Sequence, residues 1–125
     1  MILLTVDEII SLHDKLIEKT GGIYGIRDKN LLESAIFSSE AIFENTEIYP
    51  STEEKAARLC FAITNNHAFA DGNKRIGVLT MLLTLRLNGI NLSYSQQELI
   101  SLGLSVAEGK TKYEGILEWI HAHNK

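Results

Sequence analysis

The chain has 125 residues, 45% of them hydrophobic and 22% charged, with a formal net charge of −4. That length predicts a single domain over residues 1–125 that buries a core without staples, and one proline with nine glycines excludes disordered and collagen-like compositions. The acidic balance argues against a general nucleic-acid binder, which needs a basic face to neutralise phosphates; the lone Cys60 has no internal disulfide partner and reads as a small buried apolar residue in a reducing compartment.

The first ten residues carry no basic leader and reach Asp7 and Glu8 at once, so no signal peptide is expected. The longest apolar stretch, Val78 to Leu87, contains Thr80, Thr84 and Arg86. It is shorter than the about 20 residues needed to cross a bilayer. A cytoplasmic protein with no membrane partner is the expectation.

Helix starts are marked by Ser or Thr followed three residues later by Glu: Thr5/Glu8, Ser51/Glu54, Ser95/Glu98 and Thr111/Glu114. In this box the hydroxyl accepts from an orphan backbone N–H and the carboxylate reaches back to the cap. Helix one is predicted from Val6 to Lys19, with Val6, Ile9, Leu12 or His13, and Leu16 on one face and Gly21-Gly22 as its stop. Asp28 is placed to cap helix two, whose stripe is Leu31, Leu32, Ala35 and Ile36. From Ser38 to Tyr49 the periodicity is weak, predicting a short helix and then a loop or small hairpin ending at Pro50. Helix three, Thr52 to about Asn66, would bury Ala56, Leu59, Cys60 and Ile63. Helix four, from about Asn73 to Asn88, is apolar almost all round and is expected to be central, with Gly89 as its stop. Helix five follows Ser95, and helix six runs from Lys112 to His123. The fold class is all-α, a bundle of about six helices, with no repeats or linkers.

Between helices three and four lies His67-Ala-Phe-Ala-Asp-Gly-Asn-Lys-Arg75. A Gly-Asn pair opening a long helix leaves backbone N–H groups unpaired at the positive end of the macrodipole, which suits a phosphate. Gly72 permits close approach of the backbone to an oxyanion. Lys74 and Arg75 occupy a first turn where cations are disfavoured, so they anticipate a negative charge arriving from outside. Asp71 is a hard oxygen ligand suited to Mg²⁺, and His67 supplies an imidazole, the side chain most often used as a general base. Taken singly, each has an ordinary structural explanation: a helix-end histidine, a capping aspartate, a solvated basic face. Taken together they are the parts of phosphoryl or nucleotidyl transfer. Phe69 reads as the structural anchor of the loop.

His-x-Phe-x-Asp-Gly-Asn-x-Arg resembles the signature of the Fic fold. More narrowly, the chain from about residue 4 to 122 resembles the Doc, or death-on-curing, branch, to which Leu12-His13, Gly21-Gly22 and Gly25-Ile26-Arg27-Asp28 are also similar. The resemblance implies an all-helical core that transfers part of ATP to a hydroxyl side chain of a target protein, with Mg²⁺. Carried over by position, His67 is the general base, Asp71 the metal ligand, Gly72 and Asn73 the anion hole and Arg75 a phosphate contact, with Lys74 among the phosphate-binding residues. Ala68 stands where a proline often follows the histidine. AMP-transferring members usually have glycine at the place of Lys74 and a second arginine at the place of Val78. The Asn-Lys-Arg form is the Doc pattern, which implies transfer of the γ-phosphoryl group, with elongation factor Tu as the kind of target. AMP transfer is the alternative, and a non-catalytic binding module that keeps the fold is a second one.

The same resemblance implies a toxin held in check by a small antitoxin. No inhibitory Ser/Thr-x₃-Glu-Gly/Asn helix occurs in this chain; Ser105-x-x-Glu108-Gly109 is one residue short and marks a helix end. Restraint is therefore expected in trans from a Phd-like partner. A flap near Glu47-Ile48-Tyr49 is expected to align the target by strand addition. His13 is expected to be partly buried and hydrogen-bonded, or to support the loop. His121 and His123 fall in a terminus expected to fray, with little prospect of holding a metal.

Overall fold

The computed structural model describes residues 1–124. The elements in order are α1 (Val6–Thr20), α2 (Lys29–Ser39), β1 (Ile42–Phe43), β2 (Thr46–Glu47), α3 (Thr52–Asn66), α4 (Asn73–Leu87), α5 (Gln96–Ala107) and α6 (Tyr113–His123). Among the described residues the two short strands are the only sheet, so the molecule is all-α in class.

Three of the four predicted capping boxes form. Thr5, Ser51 and Ser95 each accept from the N–H three residues on, and Glu8, Glu54 and Glu98 each return a carboxylate to the cap. The fourth does not. Lys112 is the cap of α6 and has no side-chain acceptor to offer, and the Thr111 hydroxyl is bonded to the Ser105 hydroxyl on α5. Ser105 also accepts through its carbonyl from the N–H groups of Lys110 and Thr111, so this pair builds the α5–α6 corner. A tertiary partner has taken the group that a local cap would use. Glu108-Gly109 ends α5, as expected.

On α1 the buried residues are Ile9, His13 and Ile17, with Leu12 and Leu16 half-buried, so of the pair left open on this face it is His13 that points inward. Asp28 caps α2 through the N–H groups of Asn30 and Leu31. No separate short helix follows, because Ser38 and Ser39 complete α2. The hairpin does form, turning at Glu44 and Asn45 with φ of 50° and 65°. Two consecutive positive φ values give the right twist for a two-residue connection. The buried Lys55 donates to the Ser39 carbonyl and to Glu47, both at 3.1 Å, and pins the hairpin to the N-terminal end of α3. That anchor is roughly 18 Å along the helix axis from His67 at 1.5 Å per residue.

The antiparallel pair α3 and α4 forms the centre: α3 packs on α2, α4, α5 and α6, and α4 on α1, α3 and α5. One apolar cluster gathers Cys60, Met81, Leu85, Val106, Ile116 and Ile120; the other gathers Ile9, Leu32, Ile63, Phe69 and Ile76 beneath the motif loop. The two helices approach closely at Gly77. A Cβ there would fall onto the Thr64 hydroxyl and within 3.1 Å of the Cys60 carbonyl oxygen. In an exposed helix interior, glycine to alanine stabilises by about 1 kcal/mol. Here Gly77→Ala is expected to destabilise by about 1–3 kcal/mol through overpacking. A urea transition moved to lower midpoint with unchanged slope checks this.

The end of α6 does not fray within the described residues. The His123 ring stacks on Trp119 at 4.0 Å between centroids, Nδ1 stands 2.7 Å from the Trp119 carbonyl, and Nε2 stands 2.8 Å from Glu98 of α5. The N–H of Ser95 and this imidazole hold the Glu98 carboxyl down at about 2. His121 is exposed on the other side. Among the described residues no group of three His, Cys, Asp or Glu side chains is placed to hold a metal, and no helix is long and apolar enough to cross a membrane.

Candidate active site

α3 stops at His67, which adopts the left-handed conformation (φ 54°, ψ 42°) and leaves its side chain exposed at the helix end. The guanidinium of Arg27 donates to the His67 carbonyl at 2.8 Å. The next residues run antiparallel to the segment before α2: the N–H groups of Arg27 and Asp28 bond the Ala68 carbonyl, Ala70 N–H bonds the Gly25 carbonyl, and Ile26 bridges Phe69. Phe69 turns inward, 1% exposed, and lies flat on the His13 ring. The Asn73 side chain closes the loop from the far side. Its Oδ1 accepts from Phe69 N–H and its Nδ2 donates to the Phe69 carbonyl, each at 3.0 Å. What Asn73 offers an anion is therefore its backbone N–H.

Gly72 caps α4 in the left-handed conformation, and no side chain caps this helix start. The unpaired N–H groups of the first turn thus face the loop's cavity. Asp71 stands beside them. Ile23 N–H donates to its Oδ2 at 3.0 Å, Gly72 N–H to its Oδ1 at 2.8 Å, and the Arg75 guanidinium is 3.6 Å away. These donors, Ile23 first and Gly72 next, hold the carboxyl below its ordinary range, so it is ionised at neutral pH. Gly22 makes room for this arrangement: a Cβ there would lie 2.5 Å from Asp71 Oδ2 and 3.0 Å from Arg75 Nη2. Arg75 reaches back to the end of α1, donating to Thr20 Oγ1 at 2.7 Å and to the Gly21 carbonyl at 2.8 Å.

Lys74 differs from Arg75. Among the described residues no carboxylate pairs with it, and its methylenes pack over Gly103 of α5, where a Cβ would come 3.3 Å from its Cγ. His67, Asp71, Gly72, Asn73, Lys74 and Arg75 line one open cavity of about 380 Å³. Lys74 and Arg75 also border a neighbouring apolar groove of about 420 Å³ among α1, α4 and α5, lined by Leu16, Val78, Leu82 and Leu99. Every residue expected at the site from its position in the motif is thus brought together, with Phe69 beneath. Gly22 and Arg27 stand out in the sequence only through the resemblance and, for Gly22, as a helix stop, with no role at the site attached, and the Ile23 N–H and Thr20 not at all, because the pairing of this remote segment with the loop leaves no periodic trace.

The donor set suits Mg²⁺ that arrives with phosphate oxygens. It supplies one ionised, 39% exposed carboxylate, and Mg²⁺ needs no full protein cage when phosphates and waters complete its shell. When bound, the ion would neutralise phosphate charge.

The family model described as the Fic/DOC family matches residues 3–85, a span that contains the whole motif loop and the Gly21–Asp28 segment paired with it. The chain belongs to the Fic/DOC family. Similar proteins include "Protein kinase doc" of Escherichia phage P1, 32% identical over 112 residues that make up 90% of this chain and 87% of that protein. "Toxin Doc" of Mycolicibacterium smegmatis is 36% identical over 73 residues, 58% of this chain and 56% of that protein. Membership in the family accounts for the expected all-helical core and for the motif loop set between its two central helices. The likeness to the phage protein extends the match beyond the family model's span, over most of the chain.

Proposed function

We propose that this chain is a Doc-like toxin that transfers the γ-phosphoryl group of ATP to a serine or threonine hydroxyl of a target protein. A translation elongation factor such as Tu is the kind of target proposed, in the cytoplasm. Lys74 carries the reading: an ammonium without a carboxylate partner, in the first turn of an uncapped helix, bordering the same cavity as His67 and Asp71. With Val78 one turn further on, the site has an added cation where AMP-transferring relatives have space, and no second arginine for a γ-phosphate. The name of the phage relative, "Protein kinase doc", supports phosphoryl transfer, and that of the mycobacterial relative, "Toxin Doc", supports a toxin.

In this reaction the His67 imidazole takes the proton of the target hydroxyl. The hydroxyl oxygen attacks the γ-phosphorus, the bond from that phosphorus to the β-bridging oxygen breaks, and ADP leaves. The N–H groups of the α4 start, Lys74 and Arg75 stabilise the charge spread over the phosphoryl oxygens. Asp71 would hold Mg²⁺ against the phosphates. Restraint is proposed to come from a Phd-like antitoxin in trans.

Incubating a lysate with α-labelled and γ-labelled ATP in parallel tests the proposal. The expected result is one labelled protein, from the γ position alone and absent with His67→Ala. Label from the α position would instead identify AMP transfer. No label from either, with His67→Ala still inhibiting growth, would identify a binding module.

A further inference from the structure

α1 turns Ile9, His13 and Ile17 toward the interior, and only the middle one is polar. His13 is 1% exposed, its ring lies on Phe69 with centroids 3.9 Å apart and 13° between planes, and its Nε2 stands 2.7 Å from the Asp71 carbonyl oxygen. A carbonyl oxygen only accepts, so Nε2 carries the proton. Nδ1 is buried with no hydrogen-bond partner. With no partner for Nδ1, the proton that the contacts assign to this ring is the one on Nε2. An unpaired buried nitrogen costs stability that a phenylalanine at this position would not. The one polar contact the ring makes must therefore be what the position is for.

That contact controls a peptide plane. The C=O of Asp71 and the N–H of Gly72 belong to one planar trans unit and point opposite ways. With the carbonyl held on His13, the N–H is turned to the Asp71 carboxylate, 2.8 Å from Oδ1. Gly72, at φ 77°, cannot hold the plane by itself, because glycine accepts either orientation. Ile23 N–H fixes the second carboxylate oxygen. His13 therefore reaches the carboxylate through one peptide unit, without touching it.

We propose that His13 is a positioning residue: its Nε2–H locks the Asp71–Gly72 peptide and, through Gly72 N–H, sets the direction of the Asp71 carboxylate. The kinetic consequence rests on the phosphoryl-transfer reading; the geometry does not. Two measurements test it. In nucleotide-free protein with ¹⁵N-labelled histidine, the His13 resonances are expected to show a protonated Nε2 and a bare Nδ1. A bare Nε2 overturns the proposal. The second compares His13→Phe, which keeps a ring over Phe69 and removes the donor, with His13→Gln, which returns an N–H. The Phe variant is expected to lose about 10–100-fold in kcat, as removal of such supporting hydrogen bonds does, with the KM for ATP little changed. The Gln variant is expected to recover most of the loss although it melts no higher. Parent-like kcat in the Phe variant, or losses in both that simply follow their melting temperatures, overturns it. If the parent transfers nothing, the functional reading fails, and the amide resonance of Gly72, displaced in the Phe variant and restored in the Gln variant, still decides the geometry.

Discussion

Replacing His67 with asparagine is expected to lower kcat by about 10²–10⁴-fold, the range general-base catalysis contributes, while leaving the fold and the KM for ATP close to those of the parent. Asparagine is the informative substitution because His67 sits at φ 54°. Among residues with a Cβ, Asn is one of the few that visits this region readily. The backbone that ends α3 is thereby kept, along with the carbonyl that receives Arg27. What is lost is the imidazole nitrogen that would accept the proton of the target hydroxyl. The imidazole is exposed and packs against nothing in the core, so thermal melting should scarcely move. Steady-state kinetics with ATP varied at fixed target gives the check. A raised KM with unchanged kcat would make the ring a binding group and not the base. In cells the same variant should no longer arrest growth.

Phe69→Ala should have the largest effect on stability. A fully buried phenylalanine cut to alanine costs about 3–5 kcal/mol, a large share of the about 5–15 kcal/mol that holds a domain together. Phe69 is 1% exposed, packs among Ile9, Leu32, Ile63 and Ile76, and forms the floor on which His13 lies. Its backbone is also the piece gripped by Asn73 and bridged to Ile26. Losing the ring should therefore loosen the whole loop along with the core beneath it. Urea denaturation is expected to show a much lower midpoint for Phe69→Ala, with Phe69→Leu between it and the parent because leucine refills part of the space. If Phe69→Ala unfolded at the parent's midpoint, the ring would not anchor the loop.

Local chemistry made much of this molecule readable from its residues. The bounds of α3 follow from the Ser51/Glu54 box at one end and the residues leading into His67 at the other, and the loop's chemistry lies within nine consecutive residues. Where partners are distant, residue pattern alone was insufficient. Leu12 and His13 are neighbours, and which one faces inward depends on Phe69 and the Asp71 carbonyl across the core. Thr111 has the spacing of a cap, yet Ser105 takes its hydroxyl. His123 looked like a loose end until Trp119 and Glu98 enclosed it. Gly21-Gly22 read as a helix stop, which Gly21 is, while Gly22 exists to let two site side chains pass. Hydrophobic period reports which face is buried, not which remote polar group will be met there.

Cys60, buried between α3 and α4 with its thiol pushed up to about 12, has a practical consequence. The thiolate is the reactive form, and this one is neither formed at neutral pH nor reachable. The natural chain is thus already a silent background for maleimide chemistry. A cysteine introduced at exposed Tyr24 would be the single labelling point, placing a fluorophore on the Gly21–Gly25 segment beside Asp71 and Arg75, where its signal would test for the nucleotide binding proposed above.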